Sequence, residues 1–163
     1  MTAKLMGLRL SAVLLAWTTA MPMQAKADDE DRFSAPIVGS SPNSPIAGVP
    51  SGGAPWVVRR GSARLESDGA LKVEVTGLLL AAAAGANGGT TAGIPEVAAS
   101  LVCGAVVQAT TDPVPFAATG NFEIRAMVML PQPACQGAVV LIRIVRPANT
   151  PPGAYIVVTG VPD

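Results

Sequence analysis

The stretch GSARLESDGALKVEVTGLLL, residues 61–80, decides the fold class. Apolar and polar side chains alternate on both sides of the Ser-Asp-Gly sequence at residues 67–69. The apolar positions are Ala63, Leu65, Leu71, Val73 and Val75. Period-two alternation around such a turn sequence is typical of a β-hairpin with one buried face. The sequence therefore predicts two antiparallel strands here.

The length of the turn decides which residues of this hairpin pair. A two-residue turn would place Leu65 opposite Lys72, which mixes apolar and charged side chains on one face of the sheet. A three-residue loop at residues 67–69 pairs Leu65 with Leu71 instead, and it puts Gly69 at the position that needs a positive φ. We therefore predict the three-residue loop.

Further short strands are indicated along the chain. Residues 121–130 alternate most clearly, with Phe122, Ile124, Ala126, Val128 and Leu130 on one side. Other candidate strands are residues 56–60, 96–103, 106–109, 138–145 and 154–159. Gly, Pro and Asn separate these runs, and no convincing amphipathic helix accompanies them. The pattern predicts an antiparallel β-sandwich, immunoglobulin-like or of a related Greek-key or meander type, with seven to nine short strands.

The N-terminus has the features of an export signal. Lys4 and Arg9 are followed by an apolar run at residues 10–17 and then by Ala25-Lys26-Ala27. The apolar run is far shorter than the ~20 residues that a membrane-spanning helix needs. Residues 1–27 are therefore predicted to be a cleaved signal peptide rather than an uncleaved membrane anchor. The mature protein is expected to be secreted, extracellular or periplasmic, with no membrane span.

The charge of the mature chain limits its partners. Cleavage would remove three bases and no acid, which leaves eight bases against eleven acids and a net charge of −3. A chain without a basic patch is not expected to bind nucleic acid or anionic membranes.

Residues 28–54 are interpreted as an arm or linker ahead of the domain. The segment opens with acidic residues and continues with a sequence rich in Pro, Gly and Ser that has no period. Such composition is typical of an extended linker. Short apolar pieces at residues 37–38 and 46–47 could dock on the domain, which is predicted to span residues 55–163.

The two cysteines, Cys103 and Cys135, are predicted to form one structural disulfide. An even cysteine count in an exported protein favours a disulfide. A redox pair or a metal site is less consistent with the sequence, because it contains no C-x-x-C motif and no His.

The search for catalytic chemistry is mostly negative. Without His, neither a Ser-His-Asp triad nor a His-ligated zinc site can form. Glu66, Glu74 and Glu123 occupy the polar positions of strands, where carboxylates are usually solvated. We predict no catalytic residue, no cofactor and no metal site. A His-free secreted hydrolase that uses carboxylates remains the alternative.

One apolar stripe is a candidate interaction face. Met127 and Met129 lie on the side of residues 121–130 that should be polar if it faced water. Val139 and Leu141 repeat the anomaly in the next predicted strand. Adjacent pairing of the two strands would gather all four side chains into one patch that binds a partner or a second copy. The alternative is that residues 81–94 or the arm cover the stripe.

A resemblance adds to this interpretation. The order of the hairpin, VTGL at residues 75–78, a loop, further strands and PPGAYIVVTG at residues 151–160 resembles a chordin-type β domain. The histidines of that pattern are absent here, so the resemblance implies no metal-related role.

The expected function is that of an exported, non-enzymatic β-sandwich protein, a binding or structural module of the cell envelope or extracellular space. Its partner would be an unknown protein or an envelope component. The competing hypotheses are the His-free hydrolase and a purely structural module that associates with other copies of itself.

Overall fold

A computed structural model describes residues 31–132, 135, 137–147 and 150–159. The predicted signal peptide at residues 1–27 lies outside this part of the chain. The strands are β1 (Asp31–Gly39), β2 (Trp56–Glu66), β3 (Ala70–Leu80), β4 (Glu96–Cys103), β5 (Val106–Thr110), β6 (Val114–Pro115), β7 (Phe122–Met127), β8 (Val139–Val145) and β9 (Tyr155–Thr159). A short 3-10 helix, Ala82–Asn87, follows β3.

The nine described strands form one curled antiparallel sheet. Their order is β5-β4-β8-β9-β1-β2-β3-β7, and β6 pairs with the same strand as β5, namely β4. The all-β prediction is confirmed. A closed sandwich of two separate sheets is not confirmed, because β1 pairs with β2 on one side and β9 on the other and so makes the sheet continuous.

The β2–β3 hairpin has the predicted register. Leu65 pairs with Leu71 and Ala63 pairs with Val73, so the loop between the strands is the three residues 67–69. The amide of Ala70 donates to Asp68 Oδ1 at 2.8 Å, and Gly69 has φ +98°. The turn residues thus do what their types allow: the Asp side chain closes the loop, and Gly takes the left-handed backbone.

The strand β1 corrects the interpretation of residues 28–54 as an arm outside the domain. It pairs with β2 up to Pro36 and with β9 from Ile37 to Gly39. Pro36 suggests a break in the sequence because proline cannot donate a ladder hydrogen bond. In the structure it lies where the strand changes partners, a position at which a missing donor is tolerated.

Residues 40–51 cover the outer side of the half of the sheet that contains β4, β8 and β9. Val49 packs there in a small apolar cluster with Val102, Leu141 and Tyr155. The Tyr155 hydroxyl donates to the backbone carbonyl of Ser44, and the Tyr155 amide donates to the Pro50 carbonyl at 2.9 Å. This segment therefore docks on the domain, which makes β8 buried on both faces.

The main core lies between the two halves of the curled sheet. One cluster of buried residues contains Leu65, Val73 and Ile124 from one half and Leu101 and Ile142 from the other. Phe116 packs between Trp56 and Phe122. Its ring is tilted against the indole, with centroids 6.5 Å apart, and edge-to-face with Phe122, with centroids 5.6 Å apart. Aromatic pairs of this kind contribute about 0.5–1.5 kcal/mol each beyond their buried area.

Substitution of Gly69 is predicted to destabilise the protein more than substitution of Gly104, which also has a positive φ but has free space around it. A left-handed alanine costs about 1–2 kcal/mol. A Cβ at Gly69 would also lie 2.3 Å from the Val128 carbonyl oxygen, whereas a Cβ at Gly104, φ +59°, would meet nothing. Urea unfolding of Gly69→Ala and Gly104→Ala measures the difference. Equal losses in the two variants would show that the contact with Val128 is unimportant.

Alkaline pH is predicted to weaken the fold through Tyr155. Burial raises the pKa of the Tyr155 phenol above its ordinary value of 10.0. Stability from the neutral phenol is therefore complete below the unfolded-state pKa and is lost as pH rises through the folded-state pKa. Tyr155→Phe should remove this dependence and cost about 1 kcal/mol at neutral pH, the net value of one hydrogen bond. Urea unfolding of the natural sequence and of Tyr155→Phe, from neutral pH to above 10.0, measures this dependence. Free energies of unfolding that fall in parallel with pH for both proteins would contradict the prediction.

Candidate functional site

An apolar cleft opens where three separate segments of the chain meet. Its volume is about 520 Å³, which is within the roughly 300–1,000 Å³ of small-molecule sites. Its walls are Gly52, Gly53, Ala54, Trp56, Leu80, Asn87, Ala92, Ile94, Ile144, Arg146, Pro151, Gly153 and Ala154. Most of these side chains are apolar, so the walls favour a ligand with an apolar body.

The first wall is formed by the chain that returns from the outer face of the sheet. The Gly52 amide donates to the Tyr155 carbonyl at 2.8 Å. A Cβ at Gly52 would lie 3.0 Å from Nε1 of Trp56, so glycine allows the backbone to pass close to the indole. The ring of Trp56 also packs against Phe116, with the two ring centroids 6.5 Å apart. The indole is thereby fixed at the base of this wall.

The second wall is the Ala- and Gly-rich segment at residues 81–94. The Leu80 amide donates to the Thr90 carbonyl at 2.9 Å, and the Gly89 amide donates to the Leu80 carbonyl at 2.8 Å. A tight turn follows, in which Ala92 and Gly93 both have positive φ and the Ile94 amide donates to the Thr91 carbonyl at 3.1 Å. These bonds give the segment a defined path between β3 and β4.

The third wall depends on two arginines with different roles. Arg143 is half-buried, its Nε donates to the Gly153 carbonyl at 2.7 Å, and its Nη2 donates to the Pro152 carbonyl. Burial lowers the pKa of Arg143 from its ordinary value. Arg146 is exposed, and its Nη2 donates to the Ala92 carbonyl across the cleft. Arg143 therefore holds the wall, and Arg146 joins the second wall to the third.

The charge that lines the cleft is positive. Within the described part of the chain, Arg146 is the charged residue that lines the cleft, and no Asp or Glu lines it. The other polar side chains of the lining are the Asn87 amide and the Trp56 indole. Arg and Trp are donors only, whereas Asn both donates and accepts. The polar groups of the lining thus favour hydrogen-bond acceptors in a ligand.

The predicted interaction face does not assemble as one stripe. β7 pairs with β3, and β8 lies between β4 and β9, so the expected adjacency of the two strands is wrong. Met127 and Met129 are 69% and 85% exposed, whereas Leu141 is fully buried and Val139 packs beside it under residues 40–51. The arm thus covers one half of the stripe. A binding role for the two methionines stays a prediction.

The candidate carboxylates lie on the outer face of β2, β3 and β7. Glu74 is directly opposite Glu123. Glu74 forms an ion pair with Lys72 at 2.9 Å, and Glu123 pairs with Arg125. Glu66 lies near the end of the same face. Each carboxylate of the opposed pair is exposed and next to a cation, so the pair lacks the enclosed cleft in which glycosidase carboxylates act.

The disulfide between Cys103 and Cys135 is confirmed, with the two Cα atoms 5.6 Å apart. It joins the end of β4 to the chain that leads into β8, across 32 residues of sequence. A loop of this size corresponds to roughly 3–4 kcal/mol in the chain-entropy model. Neither cysteine is among the residues that line the cleft, and the bond acts as a staple between strand ends.

The described residues lack both a metal-binding cluster and a membrane-spanning helix. No group of three or more His, Cys, Asp or Glu side chains in this part of the chain is arranged to hold a metal ion. No helix within the same residues is long and apolar enough to cross a membrane.

Comparisons with models of protein families, with curated proteins and with solved structures found no match. The resemblance to chordin-type β domains therefore gains no support from them.

The sequence alone does not reveal the cleft. Trp56 begins a predicted strand, and Arg146 follows another predicted strand without an evident role. The lining comes from residues 52–56, 80–94 and 144–154, which have no shared motif. Two signals were present, the Gly52-Gly53 pair and the sequence Pro151-Pro152-Gly153, since such residues mark irregular backbone where ligands approach.

Proposed function

We propose that the protein is an exported, non-enzymatic binding module whose ligand occupies the cleft. The observation that carries the proposal is the apolar lining of a cavity of about 520 Å³, formed by three segments that hydrogen bonds hold in place. Ligand sites in proteins are usually apolar, largely preformed and provided with a few polar groups. The cleft has each of these properties.

A binding role suits the surroundings of the cleft better than catalysis. The lining residues that the structure describes supply no carboxylate, thiol or lysine to act as a base or nucleophile, and catalysis of hydrolysis needs such a group. The opposed pair of Glu74 and Glu123 is on the outer face of the sheet instead. No observation favours the hydrolase hypothesis over binding.

The proposed location is outside the cytoplasm, either extracellular or periplasmic, and the proposed source of the ligand is the envelope or its surroundings. The disulfide supports this location because such bonds persist in oxidising compartments. The proposed fold is a sandwich-like variant of the curled sheet, since one core cluster joins its two halves.

Binding of phenylnaphthylamine, an uncharged fluorescent probe with an apolar body, tests the proposal. We expect saturable binding to the folded protein with increased fluorescence. Gly53→Leu should weaken it at least about tenfold, which corresponds to about 1.4 kcal/mol. Gly53 lines the cleft, and a Cβ there would meet no atom within 4 Å, so the variant should fold.

The matched control is Ala83→Leu, which adds the same side chain at an exposed position of the 3-10 helix outside the cleft lining. It should bind the probe like the natural sequence. The proposal fails if the natural sequence does not bind the probe, or if Gly53→Leu and Ala83→Leu bind it equally well.

A further inference from the structure

We infer that the ligand of the cleft carries an anionic group on an apolar body, and that Arg146 binds this group. The inference rests on the proposed function and specifies the chemical class of its ligand. The shared chemistry is a small amphiphile with a single carboxylate, sulfonate or phosphate.

The charge of the lining supports an anion. Arg146 contributes a permanent positive charge, and no carboxylate among the described residues of the lining neutralises it within the cleft. A cation inside the cleft would be repelled, and a neutral acceptor would gain a hydrogen bond from the guanidinium but no charge attraction. An anion is the one charge type that the lining favours.

The position of Arg146 supports a role at the mouth of the cleft. Its side chain is exposed, and its Nη2 donates to the carbonyl of Ala92, which is in the left-handed turn of the opposite wall. This bond fixes where the guanidinium lies while the fork retains other donors for a planar anion. Because the group is in contact with water, it does not pay the cost of a buried charge before the ligand arrives.

The comparison with Arg143 separates a structural arginine from a binding one. Arg143 uses Nε and Nη2 for the carbonyls of Gly153 and Pro152, so its fork is occupied by the wall that it supports. Arg143 is also absent from the lining of the cleft. Arg146 alone of the two presents its guanidinium to the cavity.

Apolar walls behind the guanidinium define the rest of the ligand. Trp56, Leu80 and Ile94 are buried residues that border the cavity, and Ile144 and Pro151 border it from the third wall. An anion without an apolar body would leave these apolar walls in contact with water. An apolar body without an anionic group would leave the charge of Arg146 without a partner in the ligand. The arrangement therefore fits an amphiphile whose charged end stays at the rim.

Two probes with the same aromatic body test the inference. Anilinonaphthalene sulfonate carries one anion, and phenylnaphthylamine carries none. The natural sequence should bind the sulfonate more tightly, and Arg146→Met should weaken sulfonate binding about three- to tenfold, the range for a partly solvent-screened charge. Arg146→Met should weaken phenylnaphthylamine binding less than sulfonate binding, because both probes lose the wall contact with Ala92 but only the sulfonate also loses the opposite charge. Added salt should reduce the preference of the natural sequence for the sulfonate.

Arg60→Met is the matched control, because Arg60 is an exposed arginine on β2 outside the cleft lining. It should leave the affinity for both probes unchanged. If neither probe binds the natural sequence, the proposed function fails. If both bind equally, or if Arg146→Met and Arg60→Met have the same effect on the sulfonate, cleft binding stands and the assignment of the anion to Arg146 fails.

Discussion

The pairing of β1 with strands on both sides is the interaction on which the rest of the structure depends. Through Pro36 the strand belongs to the half of the sheet that contains β2, and from Ile37 it belongs to the half that contains β9. Two glycines make this crossing sterically feasible. A Cβ at Gly39 would lie 1.9 Å from the Trp56 carbonyl oxygen, and a Cβ at Gly61 would lie 2.3 Å from Cδ1 of Ile37. Without this close approach the two halves would not enclose one core.

The cleft is a consequence of the same crossing. After β1 the chain passes over the outer face of the sheet, is held by Tyr155, and returns as the glycine pair at residues 52–53. The Trp56 amide then donates to the Ser40 carbonyl at 3.0 Å. This bond joins the two ends of the segment that crosses the outer face. One wall of the cleft and the indole at its base are therefore positioned by β1, although β1 itself does not line the cavity.

Local signals predicted part of this structure, and contacts between distant segments account for the rest. The β2–β3 hairpin was predictable in register, because one buried face and a short loop leave one pairing that keeps Leu65 and Leu71 together. β1 was hidden by Pro36, whose meaning depends on a change of partner strand that the sequence does not show. The apolar outer face of β8 was detected, but its neighbours were not, so Leu141 was grouped with Met127 although a covering segment buries it. The cleft combines segments that local periodicity cannot relate.

Native-state hydrogen exchange tests most directly whether β1 is an integral strand that positions the cleft. The informative amides are those of Ser40, which donates to the Ile156 carbonyl at 2.9 Å, and Trp56, which donates to Ser40. The account predicts that both exchange with a free energy close to that of the β3 amides in the core, because the crossing opens only when the sheet unfolds. Rapid exchange at Ser40 and Trp56, with β3 still protected, would show that residues 31–54 are a detachable arm and would contradict the account.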